Sequence, residues 1–149
     1  MFKRLSALLM ARRLSLKTEW ERRLRAQPPN TALANPDVLV HRMDDSLERL
    51  DSLLSRHAKR WPEGHPPALA RLRDPCRCGL NPLLGYFETG GAALLAVLPD
   101  LKETERSAVE QAWYFFAQQE VDSLCAVCCR CGRPEAALAD TPAPAGAGA

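Results

Sequence analysis

Six cysteines are the side chains of this sequence best suited to chemistry, and they form two groups. The first is Cys76-Arg-Cys78-Gly, and the second is Cys125-Ala-Val-Cys128-Cys129-Arg-Cys131-Gly, with 46 residues between Cys78 and Cys125. In a reducing compartment, clustered thiols serve more often as metal ligands or redox groups than as disulfides. Two thiolates from each group would complete a tetrahedral zinc site, which leaves no open position and is therefore structural rather than catalytic.

The spacing within the second group decides which of its cysteines we expect to bind zinc. Cys125 and Cys128 are three residues apart, so they share one face of a helix. Cys129, four residues after Cys125, and Cys131, at the predicted helix end, are the substitutes. The predicted zinc ligands are Cys76, Cys78, Cys125 and Cys128. Gly79 would allow a sharp backbone turn directly after the first pair.

Three other interpretations of these cysteines stay open. The combination of Cys-x-Cys with Cys-x-x-Cys also suits a [2Fe–2S] cluster, which four thiolates can hold. Cys125 and Cys128 would otherwise form a metal-free redox pair, although their position near a predicted helix C-terminus disfavours the thiolate. Free cysteines also serve as small apolar side chains in protein cores.

Prolines divide the chain into four segments with helical periodicity. The predicted helices cover residues 3–26, 36–61, 82–98 and 100–131, and residues 62–75 form a connector. No segment shows the alternation typical of a strand. We therefore predict an all-α fold, a bundle of about four helices formed by residues 1–132. The Ala/Pro/Gly-rich residues 133–149 are predicted to be a disordered tail.

Three of these helices begin with capping signals. Asn35 and Asn81 each precede a proline, which combines a good N-cap with the residue that suits the first helical position. Asp100 together with Glu103 resembles a capping box at the start of the fourth helix. These signals predict where the second, third and fourth helices begin.

Two further patterns concern helix packing. The second helix carries an apolar stripe at steps of three and four residues: Val40, Met43, Leu47, Leu50, Leu54, His57 and Trp61. Such a stripe packs inside a bundle or forms a homodimer, and the sequence allows both. In the third helix, Gly90-Gly91 indicates the close approach of another helix or a bend, because glycine costs about 1 kcal/mol in a helix interior.

A hairpin of the third and fourth helices would bring the two cysteine groups together. If the chain reverses at residues 99–100, Asn81 lies opposite roughly residue 118. Cys125 is then about 10 Å further along the fourth helix, and Cys78 is about 10 Å from Asn81 if that segment is extended. Both groups therefore reach the same end of the hairpin.

Charge is unevenly distributed along a chain whose net charge is +2. Residues 1–25 contain eight Lys or Arg and two Glu, a charge of +6, which leaves −4 for the rest. A basic helix of this kind contacts a membrane surface or nucleic acid, or it packs near acidic residues of the same chain, and we favour the last. We predict no membrane span, no cleaved signal peptide, no specific nucleic-acid binding and a cytoplasmic location.

The histidines are not predicted to be catalytic. His57 falls on the apolar stripe, His41 is expected at the surface or between helices, and His65 is a weaker candidate for a zinc ligand. The sequence contains no phosphate-binding glycine loop, nucleophile elbow or His-Glu metalloprotease motif.

Two acidic pairs and one aromatic run are also interpreted structurally. Asp44/Asp45 and Glu103/Glu105 are expected to be surface charges. The run at residues 113–116, Trp-Tyr-Phe-Phe, is expected to pack in the core rather than to line a ligand pocket.

The order Cys-x-Cys then Cys-x-x-Cys in an all-helical setting resembles the bacterioferritin-associated ferredoxins. In that family four such cysteines hold a [2Fe–2S] cluster between short helices. The resemblance implies that role here for Cys76, Cys78, Cys125 and Cys128. The 46-residue separation is longer than in that family, and most of this chain lies outside the match.

The segment from Leu8 to about Leu54 is similar to the helical N-terminal domain of stressosome RsbR-type regulators. The similarity lies in three stretches: Trp20-Glu21-Arg22-Arg23, Pro36-Asp37-Val38-Leu39-Val40 and Met43-Asp44-Asp45-Ser46-Leu47. Those domains are helical sensing or partner-binding modules. The resemblance implies a regulatory role and assigns no site residues.

Together these patterns predict a non-enzymatic, zinc-stabilised helical module that acts in regulation or in contact with a protein partner, which the sequence does not identify. The alternative is a [2Fe–2S] electron-transfer or redox-sensing protein that uses the same cysteines. In either case the metal would join the connector before the third helix to the end of the fourth.

Overall fold

A computed structural model describes residues 1–56, 72–75 and 78–128, and within these ranges the chain is all-α. The helices are α1 (Phe2–Ala11), α2 (Arg13–Ala26), α3 (Pro36–Leu39), α4 (Met43–Arg56), α5 (Pro82–Val97) and α6 (Glu103–Cys128). Short 3₁₀ turns lie at Ala32–Ala34 and Val40–Arg42. Helix α1 packs on α4, α2 packs on α5, and α6 packs on both α4 and α5, so the long helices form a bundle. The predicted all-α class is confirmed.

Several sequence predictions fall outside the described residues. They concern the end of the second helix with His57 and Trp61, most of the connector with His65, the end of the fourth helix, and the tail at residues 133–149. Within the described ranges, no helix combines the length and the hydropathy that a bilayer span requires.

The first predicted helix, residues 3–26, bends at Arg12 and is therefore two helices. Arg12 has φ −103° and ψ 6°, away from the usual helical values. Hydrogen bonds from Arg12 N to Leu8 O (3.0 Å) and from Leu16 N to Arg12 O (2.9 Å) nevertheless continue the ladder across the bend. The bend allows α1 to pack on α4 while α2 packs on α5.

The second predicted helix begins at Asn35 as expected, because Asn35 Oδ1 accepts a hydrogen bond from Asp37 N at 3.0 Å. It is not uniform, since the 3₁₀ turn at Val40–Arg42 separates α3 from α4. The described part of its apolar stripe on α4 is at most 1% exposed and faces the bundle core: Met43, Leu47, Leu50 and Leu54. This stripe is therefore used for packing within the chain.

Helix α5 begins at the predicted Asn81-Pro82 signal, where Asn81 Oδ1 accepts a hydrogen bond from Leu83 N at 3.0 Å. The close approach predicted from Gly90-Gly91 is confirmed. A Cβ atom at Gly90 would lie 2.5 Å from Trp113 Cζ2 and 2.7 Å from Trp20 Cε2. The glycines therefore admit two indole rings, and α5 continues through them without a break.

Helix α6 begins at Glu103, three residues later than the predicted start at Asp100. The capping carboxylate belongs to Glu105, whose Oε2 accepts a hydrogen bond from Lys102 N at 3.1 Å. The interpretation of Glu105 as a surface charge is wrong, because it is 5% exposed and pairs with Arg4. The Arg4 hydrogen bond, followed by that from Lys102 N, holds the pKa of Glu105 below its ordinary value.

Aromatic rings from α2, α5 and α6 form the centre of the core. The centroid of Trp20 lies 4.5 Å from that of Tyr86 and 5.3 Å from that of Trp113. Trp20 Nε1 donates to Tyr86 O, and Trp113 Nε1 donates to Phe87 O, both at 2.9 Å. Both buried indoles are therefore hydrogen-bonded to carbonyls of α5. Trp113 and Phe116 have the predicted core role, but the prediction is wrong for Phe115 of the same run, which is 39% exposed.

The basic N-terminal segment packs near acidic residues of the same chain, as the sequence favoured. Arg13 Nη2 lies 2.7 Å and Lys17 Nζ 2.6 Å from the carboxylate of Asp44 on α4. Arg4 pairs with Glu105 on α6. The charge of the basic segment is thus partly compensated by α4 and α6. Asp44, whose side chain is 47% exposed, is a surface charge that also pairs between helices.

Candidate metal centre

The register of the α5–α6 hairpin is set by Asn81. Its Nδ2 donates a buried hydrogen bond to Val121 O at 3.1 Å. The sequence prediction, which placed Asn81 opposite roughly residue 118, is therefore correct to within one helical turn. In an α-helix the carbonyl of Val121 also accepts the amide of Cys125. The Asn81 side chain consequently lies at the turn of α6 that ends with Cys125.

Gln118 on α6 holds the segment that precedes the first cysteine pair. Arg73 N donates to Gln118 Oε1 at 2.8 Å, and Gln118 Nε2 donates to Arg73 O at 2.9 Å. Gln118 is 8% exposed, and its Nε2 also donates to Asp122 Oδ1 at 2.8 Å. Both polar ends of this buried amide are therefore satisfied. The Cys-x-Cys segment is attached to α6 both before and after its cysteines.

Gly79 provides a third attachment for this segment. Its φ of +67° lies in the left-handed region that favours glycine, which confirms the predicted turn after Cys78. Its carbonyl accepts a hydrogen bond at 3.0 Å from Asn30 Nδ2, which lies in the linker between α2 and α3. The backbone directly after Cys78 is therefore held by two different parts of the bundle.

Cys78 and Cys125 are the predicted ligands whose side chains the structure describes. Cys78 is exposed, whereas Cys125 is 7% exposed. Cys125 follows Gln118 and Val121 at steps of three and four residues, so these three positions share one face of α6. Three residues further on, Cys128 is at the next position of that face. The remaining candidates lie outside the described residues: Cys76, Cys129 and Cys131.

The attachments at Arg73 and Asn81 limit how far the first cysteine pair can be from the second group. Cys78 is three residues from Asn81, at most about 10 Å of chain, and Cys76 is equally far from Arg73. Along α6, Val121 is about 6 Å from Cys125, and Gln118 is about 10 Å from it. The chain between each attachment and its cysteine is therefore long enough to span these distances.

Among the described residues, no group of three or more His, Cys, Asp or Glu side chains is arranged to hold a metal ion. The predicted four-cysteine site includes side chains outside those residues. The positions that sequence analysis missed are Asn30, Arg73 and Gln118, which tether the segment. The sequence does not indicate these contacts, because the partners are more than 40 residues apart. Asn30 binds the main chain of Gly79, and Gln118 binds the main chain of Arg73.

A cleft of about 470 Å³ lies between α4 and α6, away from the cysteine segment. Its cations Arg42 and Arg49 both pair with Glu120, and the Arg49 guanidinium also lies 5.6 Å from the centroid of the Phe116 ring. These charges are satisfied by one another, so the cleft offers less chemistry than the cysteine-bearing end of the hairpin.

Comparison of this chain with protein-family models, with curated proteins and with solved structures finds no match. The functional argument therefore depends on the geometry of the tethered segment and on the chemistry of the cysteines.

Proposed function

We propose that this chain is a zinc-stabilised, non-enzymatic helical module for regulation or protein–protein contact. The proposed ligands are Cys76, Cys78, Cys125 and Cys128. The observation that carries the proposal is the attachment of the Cys-x-Cys segment to α6 at Arg73 and Asn81, on the face of that helix that also bears Cys125.

Zinc at this position would act as a clamp. It would join the chain before α5 to the last turn of α6, and so close a loop of about 50 residues. Since a preformed site is absent from the unfolded chain, the binding energy of the metal adds to the stability of the fold. Four thiolates fill the zinc coordination sphere, and the metal therefore has no open position for a substrate.

The regulatory part of the proposal has a separate basis. It follows from the resemblance of residues 8–54 to RsbR-type N-terminal domains, which bind partners or sense signals through helices. A structural zinc is compatible with this role because it fixes the relative positions of helices that a partner would recognise.

A [2Fe–2S] cluster on the same cysteines is the second candidate, and the exposure of Cys78 favours it. An electron carrier needs its cluster close to the protein surface, and an exposed ligand would provide this. In that case the chain would be an electron-transfer or redox-sensing protein.

Elemental analysis of protein purified without oxygen separates these candidates. We expect about one zinc per chain and a colourless protein, because four thiolates form a closed tetrahedral zinc site and zinc has no visible absorption. A brown protein that contains iron and sulfide would show that the cysteines hold a [2Fe–2S] cluster and not zinc. A metal-free protein with freely titratable thiols would contradict both.

The Cys125→Ala variant tests the ligand assignment. We expect it to lose the metal and to melt about 5 °C or more below the wild type, since removing a bound ion removes its linkage to folding. Alanine avoids placing a hydroxyl at a buried position. A chelator should lower the melting temperature of the wild type and leave that of the variant unchanged.

Cys129→Ser and Cys131→Ser are the matched controls, and both should keep the metal. If either variant lost the metal, the cysteine it replaces would be a ligand in place of Cys125 or Cys128. Full metal content in Cys125→Ala would show that the assignment of this cysteine is wrong.

A further inference from the structure

Helices α1 and α2 carry an exposed apolar stripe on the side away from the core. Its members are spaced at three, one and three residues: Ala7, Met10, Ala11 and Leu14. Met10 is 43% exposed and Leu14 is 78% exposed. The buried side chains of the same helices, such as Leu9 and Leu16, lie on the opposite side. The stripe is therefore additional to the face that packs the bundle.

The stripe is continuous across the bend at Arg12. The hydrogen bonds from Arg12 N to Leu8 O and from Leu16 N to Arg12 O keep helical neighbours in register there. Residues three and four apart therefore remain adjacent, and the four side chains form one surface rather than two halves.

The positions of the stripe are symmetric about its midpoint, and each large side chain on one side of the midpoint corresponds to a small one on the other. Ala7 and Leu14 are equally far from the midpoint, and so are Met10 and Ala11. If a second, antiparallel copy of the helix were laid against it, Leu14 of each copy would face Ala7 of the other, and Met10 would face Ala11. Each large side chain would then meet a small one, which is the arrangement that lets two helices pack closely.

We propose that this chain forms a twofold-symmetric homodimer through the stripe, with the α1–α2 segments antiparallel. A twofold interface uses the same patch on both copies, so it requires the self-complementarity that the stripe has. This inference is independent of the proposed metal site, whose ligands belong to α6 and to the chain before α5.

Charges at the ends of the stripe fit the same arrangement. Lys3 and Glu21 are 18 residues apart, five turns of a regular helix, and the hydrogen bonds across Arg12 keep them on the same side of α1 and α2. In the antiparallel dimer, Lys3 of one copy lies beside Thr18 of the other and reaches Glu21 one turn further. Glu21 now pairs with Arg25 at 2.9 Å, and both side chains are close to half exposed, so it remains accessible.

An anionic membrane surface suits the stripe less well than a second copy does. The cations that would meet lipid headgroups include Arg4 and Arg13, which already pair with Glu105 and Asp44. Membrane-surface helices instead present their basic side chains free on either side of the apolar face.

Sedimentation velocity over a concentration series of the full chain tests the proposal. We expect a monomer–dimer equilibrium in the wild type, and a dissociation constant at least about tenfold higher in Leu14→Glu, which places two carboxylates at the interface. Leu33→Glu is the matched control, because Leu33 is 61% exposed and lies outside the stripe. It should dimerise like the wild type, and far-UV circular dichroism should show the same helix content in both variants.

A charge exchange provides a second, milder test. Lys3→Glu and Glu21→Lys should each weaken the dimer, and the double variant should restore it. A wild type that stays monomeric at all concentrations would overturn the proposal, as would equal effects of Leu14→Glu and Leu33→Glu. Binding of the wild type, but not of Leu14→Glu, to phosphatidylserine vesicles would assign the stripe to a membrane instead.

Discussion

Gly90 is the residue on which the packing of the core depends most directly. Its missing side chain leaves room for the edges of Trp20 and Trp113, which come from two different helices. Because both indole rings lie close to α5, the Nε1 atoms of Trp20 and Trp113 donate hydrogen bonds to carbonyls of that helix. The helix propensity lost at this position is thus offset by ring packing and by two buried hydrogen bonds.

Gly90→Ala should therefore destabilise the protein by about 2 kcal/mol or more, since a Cβ atom would overlap two rigid rings. Gly85→Ala is the control in the same helix. There the Cβ atom would meet only Gln27 Oε1, the end of a flexible side chain, at 3.2 Å. We expect that variant to be within about 1 kcal/mol of the wild type, because helix propensity then favours alanine. Urea denaturation measures both, and equal losses would contradict this account.

Single residues also show where sequence analysis succeeds and where it fails. Gly90-Gly91 correctly predicted a close approach, because a pair of glycines weakens an apolar helix unless a neighbouring element packs closely against it. Glu105 was misjudged, since its burial depends on Arg4, a partner 101 residues away along the chain. The tethering role of Gln118 was missed for the same reason, as its partner is the backbone of Arg73.

At the level of elements, two helices begin with the same signal but in different surroundings. Asn35 and Asn81 both cap a helix and both precede a proline. Asn35 is exposed and acts only as a cap. Asn81 is 6% exposed and also joins α5 to α6 through Val121 O. Substitutions at Asn35 and Asn81 can therefore distinguish the stability that a helix cap provides from the stability that an interhelical hydrogen bond provides.

Serine at each position keeps the cap and removes the amide donor. Asn35→Ser should change the free energy of unfolding by less than about 0.5 kcal/mol, because serine and asparagine are similar N-caps. Asn81→Ser should cost about 1–2 kcal/mol, since it deletes a buried hydrogen bond and leaves a gap. Chemical denaturation with the metal content held fixed compares them. If the two losses are equal, the bond to Val121 does not stabilise the hairpin.

Helix starts were predicted better than helix shapes. The two Asn-Pro signals are local, and the structure confirms both. The bend at Arg12 and the later start of α6 depend on tertiary partners. At the bend, α1 packs on α4 while α2 packs on α5, and at the start of α6 the capping residue Glu105 pairs with Arg4. Periodicity along one helix contains no information about these partners.

For the whole molecule, the hairpin register was predictable because it follows from helix lengths alone. That register brings the Cys-x-Cys segment to the Cys125 end of α6, which is the part of the candidate site that sequence reasoning could reach. The three tethers were not predictable. They decide how firmly the segment is held, and they depend on side chains whose types suggest no chemistry: Asn30, Asn81 and Gln118.

The distribution of charge over the whole molecule leads to a further prediction. Asp44 neutralises both Arg13 and Lys17, and these two cations, Lys17 foremost, hold its pKa below the ordinary value. Asp44→Asn should free Lys17 and leave Arg13 with Glu48 as its remaining partner. Binding to a short DNA duplex should then become tighter at low salt, and the slope of log affinity against log salt should steepen by about one.

Glu110→Gln changes the net charge by the same amount on α6, which packs against α4 and α5. It should bind DNA as weakly as the wild type if the local pairing, rather than the total charge, masks the basic segment. Fluorescence anisotropy across a salt series measures all three proteins. A steep salt dependence already present in the wild type, and unchanged by Asp44→Asn, would mean that the N-terminal cations are available to a polyanion despite their ion pairs.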